Sequence, residues 1–274
     1  RVLGFALVAT LASGVLFGLA PALQASNPDL QTAMKSDVTG AGRRSGSRLQ
    51  GALVGTQVAV CMVLIVAAGL LLRGLYTTQT VDPGFAYEDV AVASFDLTGA
   101  GYDTASAAVF QRQLLERVKS LPGVEAVAQV RSTPLSGGGG MMARLPNQDQ
   151  PLLFRVNLAS PSYFSLLGIP IVRGRTFTDA ELTDASGTTL AARFAGSGVV
   201  IVSEATARRF WRDRDPIGQT LLFGGPDDAV EVRVVGVAGD AQLDRIGEIP
   251  LNYLYFPPGP SVQAGLGVLA RSPI

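Results

Sequence analysis

The residue types that carry most hydrolytic and metal chemistry are scarce in this chain. It has no histidine and one cysteine, Cys61. That removes Ser-His-Asp and Cys-His nucleophile pairs and every His-ligated metal site. Cys61 lies inside a long apolar run, forms no intrachain disulfide and reads as an inert thiol in lipid. Gly137–Gly140 is a glycine run of the kind that cradles phosphate, but Met141-Met142 follows where Lys-Ser/Thr is required. A flexible loop tip is the better reading. Val235-Gly236-Val237-Ala238-Gly239-Asp240 hints at a dinucleotide turn, yet the full GxGxxG is missing and no convincing helix follows, so it reads as a strand ending in a Gly-Asp turn. Asp227-Asp228 is an adjacent acid pair that binds cations weakly at most and is most simply a loop. No catalytic, cofactor-binding or metal-binding residue is assigned, and an enzyme is not expected. Hydrolysis lost on changing Asp227 or Asp228 would be the contrary sign.

The remaining charged pattern is Arg208, Arg209, Arg212 and Arg214, with Asp213 and Asp215 among them. Acidic and basic residues balance at 22 each, and a nucleic-acid binder needs a net basic face. The arginines therefore read as a solvated helix face with local ion pairs, which contribute little when exposed.

The elements that position these residues begin with two charge-free apolar runs, Val2–Leu23 and Ala52–Leu72. Each is long enough to cross a bilayer core of about 30 Å. Ala20-Pro21-Ala22 loosely matches a signal-peptide cleavage site, but the run exceeds a typical h-region and its basic flank is a single arginine, so a span is the better reading. Between the runs, Gln24–Gln50 carries Lys35, Arg43, Arg44 and Arg48 against Asp29 and Asp37. Short loops rich in Lys and Arg stay cytoplasmic. The first span then runs outward to inward, the second inward to outward, and the sequence after Tyr76 lies outside. Arg1 and Arg73 fall on the outer ends against this rule, and Arg73 can snorkel to headgroups. Gly14-xxx-Gly18 and Gly51-xxx-Gly55 have the small-residue spacing of close helix packing, and Gln57 is a candidate interhelical hydrogen-bond former. Neither span holds an acid or base, so neither looks like an ion pathway.

From about Val81 the composition is globular. Val90–Leu97 alternates as a strand. Asp103 or Thr104 caps a helix whose face is Val109 or Phe110, Leu114, Val118 and Leu121, and Pro122-Gly123 ends it. Val124–Val130 follows as a strand, a strand–helix–strand unit that forms a right-handed crossover if its strands are parallel. Strands are expected at Leu152–Leu158, Ile169–Arg173, Gly198–Val202, Leu221–Phe223 and Glu231–Ala238. A short helix is expected at Ser162–Leu167, with Gly168 as its cap. Another begins after Ser203, with Ala207, Phe210 and Trp211 on one face. Asn147–Pro151 reads as a turn and Thr178–Ser197 as a loop. The chain starts at Arg1 without Met, and Ala264–Ile274 reads as a strand with no partner following. An internal piece of a longer polytopic protein is expected.

Several segments, in order, resemble the MacB/FtsX-like permeases. They are Asn157–Phe177 (NLASPSYFSLLGIPIVRGRTF), Val200–Trp211 (VIVSEATARRFW) with Asp215-Pro-Ile-Gly218, and Val232–Asp240 (VRVVGVAGD). Gly18–Ser26, Gly69–Arg73 and Val81–Phe85 are similar to the junction between the repeats of duplicated, acidobacterial-type members. The resemblance implies an ABC transporter permease with two transmembrane helices and an α+β periplasmic domain, a porter-like βαβ part carrying an inserted β-rich subdomain. It divides the chain into a helix closing one repeat (1–23), a cytoplasmic basic loop (24–50), a helix opening the next (51–75) and a MacB-like periplasmic core domain, C-terminally incomplete (82–274). It implies a multi-pass protein of the bacterial inner membrane that couples ATP hydrolysis by a separate ABC ATPase, no Walker motif being present, to periplasmic movement. Implied partners are that ATPase, a periplasmic adaptor or other periplasmic protein, membrane lipid and further copies in an oligomer, with no nucleic acid. The alternative is an FtsX-like scaffold that regulates a periplasmic cell-wall hydrolase. The family supplies no catalytic residues, and turns such as Gly168–Pro170 and Asp215–Gly218 read as structural.

Overall fold

The computed structural model describes residues 4–6, 8–11, 13–15, 43–80, 82–146, 150–182, 197–224 and 229–273. Within the first apolar run the described residues of Gly4–Val15 are helical. The rest of that run, including Gly18, and residues 24–42 of the basic segment lie outside the described residues. Helix α1 spans Arg43–Thr80. Its stretch Val54–Thr77, 24 residues with mean hydropathy 2.5, is among the described residues the one helix long and apolar enough to cross a membrane. At 1.5 Å per residue it is about 36 Å long. Its described side chains are exposed, Ile65 at 67% and Leu71 at 74%, as suits a helix whose solvent is lipid.

Two expectations are corrected here. Arg43–Gln50 belong to the helix, not to a loop, and the helix continues past residue 75 to Thr80. The apolar run supplies the costly nucleus, and adding turns to an existing helix is cheap where no proline intervenes. Pro83 marks the C-terminal limit, since the residue before a proline disfavours helical geometry.

By contacts the chain divides into two compact units, Arg1–Arg73 and Gly74–Ile274. The second holds two sheets. The smaller is antiparallel, in the order β1 (Val90–Ala93), β10 (Gly267–Arg271), β2 (Ala126–Val130). The last strand thus has two partners, both earlier in sequence. β1 and β2 run parallel to one another with β10 between them. β1 stops at Ala93, short of the expected Leu97. A side-chain-capped turn follows, with Gly99 N–H donating to Asp96 Oδ1 at 2.9 Å, a local bond that competes with the ladder.

Helix α2 (Thr104–Lys119) joins β1 to β2 and is capped by Asp103, which accepts from Ser106 N at 2.7 Å. Its inner face is Ala107 and Gln111, with Phe110, Leu114 and Val118 half-buried; of the expected pair it is Phe110, not Val109, that turns inward, and Leu121 is exposed. Gln111 tolerates burial because its amide donates to Leu266 O at 2.8 Å and its carbonyl accepts from Gln129. A buried polar group stays costly unless paired.

The larger sheet is inserted between β2 and β10. It contains β3 (Gly139–Arg144), β4 (Leu152–Leu158), β5 (Ile171–Gly174), β6 (Val199–Ser203), β7 (Thr220–Phe223), β8 (Val230–Ala238) and β9 (Tyr253–Phe256). Its order is β5-β8-β6-β9-β4-β3-β7, and β7 pairs back onto β8. The ring β8-β6-β9-β4-β3-β7 is therefore a closed barrel, and β5 extends the sheet from β8. Closure removes strand edges. Gly139 and Gly140, expected in a flexible loop tip, are ladder residues facing Val156 and Arg155 of β4.

Strand alternation builds two cores. Phe154, Val156 and Leu158 of β4, Val200 and Val202 of β6, and Leu254 and Phe256 of β9 fill one. Ile201, Tyr253 and Tyr255, on the other face of the same strands, join Phe164, Leu167 and Leu269 in the second. Strands buried on both faces read as unbroken apolar runs (VVIV, YLYF). Helix α3 (Pro161–Leu166) packs on β2 and bridges the sheets, and helix α4 (Glu204–Phe210) follows β6. β5 approaches β8 so closely that a Cβ on Gly236 would sit 2.3 Å from Arg175 O, a spacing only glycine permits.

Candidate functional site

The chain enters the folded domain through a strap, residues 82–87. Gly84 N–H donates to Asp82 Oδ1 at 2.8 Å. Pro83 O accepts from Gln242 N at 2.8 Å, Asp82 O from Gln242 Nε2 at 3.1 Å, and Leu167 O from Ala86 N at 2.7 Å. Gly84 has φ +76°, and a Cβ there would lie 2.6 Å from Asp240 O. The strap therefore needs glycine for both conformation and contact.

The turn that receives the strap, residues 239–242, also holds α4. Asp240 Oδ1 accepts from Ala205 N at 2.7 Å, and its Oδ2 accepts from Arg208. Arg208 pairs as well with Glu204, one helical turn back, at 3.0 Å. The hydrogen bond that Arg208 donates to Asp240 raises its guanidinium further above the ordinary value. Gly239 N–H donates to Pro170 O at 2.8 Å. The Gly168–Pro170 turn, the Val232–Asp240 strand-turn and the start of α4, far apart in sequence, thus meet at one junction. No sequence signal pointed to Asp240 as the joint between strap and helix. A Gly-Asp turn has no periodicity to reveal its partners.

Ser203 caps α4, accepting from Thr206 N at 3.2 Å. Ala207 and Trp211 are buried and Phe210 is half-buried, as the spacing predicts. The outer side of α4 opens into a cleft of about 690 Å³. Its floor includes Trp211, Pro216 and Val237, and its rim carries Arg173, Arg208, Arg209, Arg212 and Arg214. Arg209 lies over the Phe210 ring at 5.4 Å. A second cavity of about 500 Å³ is apolar, walled by Phe85 and Tyr87 of the strap side and by Leu135, Ile246 and Leu269. Leu135 holds φ 65° there.

Asp227 and Asp228 lie outside the described residues, as do 147–149 of the expected Asn147–Pro151 turn and 183–196 of the expected Thr178–Ser197 loop. Asp179–Leu182, in the described part of that loop, forms a 3-10 turn. Cys61 is exposed on α1. Apart from their own helix backbone, no described residue comes within 4 Å of where a Cβ would stand on Gly14, Gly51 or Gly55. Among the described residues no group of three or more His, Cys, Asp or Glu side chains is placed to hold a metal. Tyr163, Tyr253 and Tyr255 have phenols pushed up by burial. Tyr163 and Tyr255 pack edge to face on Phe164, and Tyr253 lies tilted against Tyr255, which fits core residues rather than proton donors.

No curated protein matches this chain. Among solved structures, a domain of a putative permease protein from Porphyromonas gingivalis is 17% identical with TM-score 0.40, over 57% of this chain and 64% of that one. The extracellular domain of the noncanonic ABC-type transporter YknZ from Gram-positive bacteria is 17% identical, TM-score 0.41, over 68% and 82%. The periplasmic region of MacB from Actinobacillus actinomycetemcomitans is 16% identical, TM-score 0.42, over 69% and 76%. The chain spans 64% of the length of the first of these. The MacB-like periplasmic core domain family matches residues 57–271, and the chain belongs to that family.

Proposed function

We propose that this protein is an inner-membrane permease subunit of an ABC-type export or mechanotransmission system. It couples ATP hydrolysis by a separate ATPase in the cytoplasm to movement of its domain outside. The observation that carries this reading is an apolar helix, Val54–Thr77, that continues through a hydrogen-bonded strap into a MacB-like periplasmic core domain. Displacement of the helix would be transmitted by a short strap, its φ fixed at Pro83 and its backbone bonded to Gln242 and Leu167, into the turn that anchors α4.

On this reading the first apolar run is a second span, the Arg- and Lys-rich segment between them is cytoplasmic, and the pair forms the seam of a duplicated permease of the acidobacterial type. The protein itself performs no catalysis. Reporter fusions at Ser45 and Ser186 test the sidedness: opposite sides are expected, and the same side for both defeats the proposal. Co-purification tests the partner. An ATPase together with an export adaptor is expected, whereas a cell-wall hydrolase without an adaptor points to an FtsX-like scaffold.

A further inference from the structure

The arginine rim of the α4 cleft is not accounted for by packing. Arg208 is doubly paired, with Glu204 and Asp240. Among the described residues, Arg173, Arg209, Arg212 and Arg214 form no ion pair with any acid. Asp213 and Asp215 share their stretch of chain but pair with none of them, and Asp215 Oδ1 is occupied by Ile217 N at 3.0 Å. Like charges gathered around one concavity repel one another and are retained at a cost unless something neutralises them.

The chemistry of the surface narrows the ligand. Guanidinium forks match carboxylates and phosphates. The cations stand on three elements, β5, α4 and the turn after it, around an apolar floor, an arrangement suited to several carboxylates with apolar side chains between them. Val172 and Leu251, 46% and 59% exposed, add apolar wall beside the arginines. β5 is the terminal strand of its sheet, hydrogen-bonded only to β8 among the described residues. Such an edge can receive an extended backbone, and a volume of about 690 Å³ is of ligand-site size.

We propose that this cleft docks an acidic, extended segment of a partner polypeptide, its carboxylates on the arginine rim and its alternate apolar side chains on the Trp211–Pro216–Val237 floor. The proposal rests on the reading that the domain works against a protein partner outside the membrane, and it names the chemistry of that partner.

The test uses the full chain in nanodiscs of zwitterionic phosphatidylcholine. The probe is a labelled short peptide of alternating glutamate and valine, which when extended places all its acids on one side. Saturable binding is expected. It should weaken about tenfold or more when salt rises from about 0.1 M to about 1 M, as the Debye length falls from about 10 to about 3 Å. The double variant Arg209→Gln/Arg212→Gln should weaken it about tenfold, two exposed pairs at a few-fold each, while Arg117→Gln on α2 leaves it unchanged. A circular-dichroism melt verifies that the double variant is folded. The proposal is overturned if the peptide does not bind, if its glutamine analogue binds equally well, if a folded double variant retains full affinity, or if tripolyphosphate at equal charge displaces the peptide as well as unlabelled peptide does. The last result would make the cleft a simple anion site. Fusions reporting Ser45 and Ser186 on one side would sink the permease reading yet leave this binding equilibrium measurable, so the two failures are distinguishable.

Discussion

Arg208 and Arg209 are neighbours on α4 with opposite circumstances. Arg208 is held by two carboxylates and belongs to a closed junction in which turn, strap and helix satisfy one another's polar groups. Arg209 reaches none of the described acids and rests on an aromatic ring at the mouth of a cleft. The difference separates two uses of the same side chain. A guanidinium whose partners lie within the fold ties elements together, and one whose neighbours are other guanidiniums is available to something outside.

The comparison breaks most readily at the strap. Gly84→Val places a side chain where Asp240 O stands 2.6 Å from a Cβ, at φ +76°. A loss of about 3 kcal/mol in urea unfolding is expected, from strain and overpacking together. A loss below about 0.5 kcal/mol would show that the strap is not seated on the turn.

Asp240→Ala comes next. It leaves Ala205 N without its acceptor and Arg208 with Glu204 alone. About 1–3 kcal/mol is expected to be lost, because the acceptor is mostly buried although Arg208 is exposed. Arg208→Ala in the same assay should cost less, since its partner Asp240 keeps the bond from Ala205 N. Equal losses would mean that the ion pair, not the helix-start contact, dominates.

On the cleft side, Arg209→Gln/Arg212→Gln should change stability by less than about 0.5 kcal/mol, as surface substitutions do, while weakening peptide binding about tenfold. A large destabilisation would place these arginines with the junction and erase the contrast.

The smallest effect concerns a third arginine. Arg175 forms a two-pronged pair with Glu181 at 2.7 and 3.0 Å, whereas Arg173, two residues away, pairs with none of the described acids. The Arg175 hydrogen bonds hold the Glu181 carboxyl below its ordinary 4.5. A lowered folded value contributes stability that is present above the unfolded value and is lost as pH falls through the folded one. The advantage of the native protein over Glu181→Gln is therefore present at pH 6 and shrinks as pH drops below about 4.5. Denaturation melts at both pH values measure it. The exposed arginine keeps the effect under about 1 kcal/mol.

Local rules located much of this domain. Leu152–Leu158 is a strand with the expected bounds, and Ser203 and Asp103 cap the helices that begin beside them, because alternation and capping are set by residues a few positions apart. The same rules missed β3 and β9. Gly139–Arg144 offers glycine and methionine rather than β-branched residues, and it becomes a strand only because β4 and β7 stand on either side. Tyr253–Phe256 follows a proline-bearing loop and is fixed by β4 and β6. Among the site residues, the arginines of α4 were visible as a charged face. Arg173, contributed by β5, and the floor beneath them were not, since they arrive through strand pairings that span dozens of residues.

The sequence by itself determined the apolar helix, the helix caps, the order of most strands and the family, because each depends on local composition or on the character of short segments. Only the tertiary structure decided that β10 lies between β1 and β2, that the barrel closes through β7 and β8, and that Asp240 joins the strap to α4. These are non-local contacts whose closure entropy is offset by a shared core. Which distant partners meet depends on the packing of the whole domain and leaves no periodic trace in any one segment.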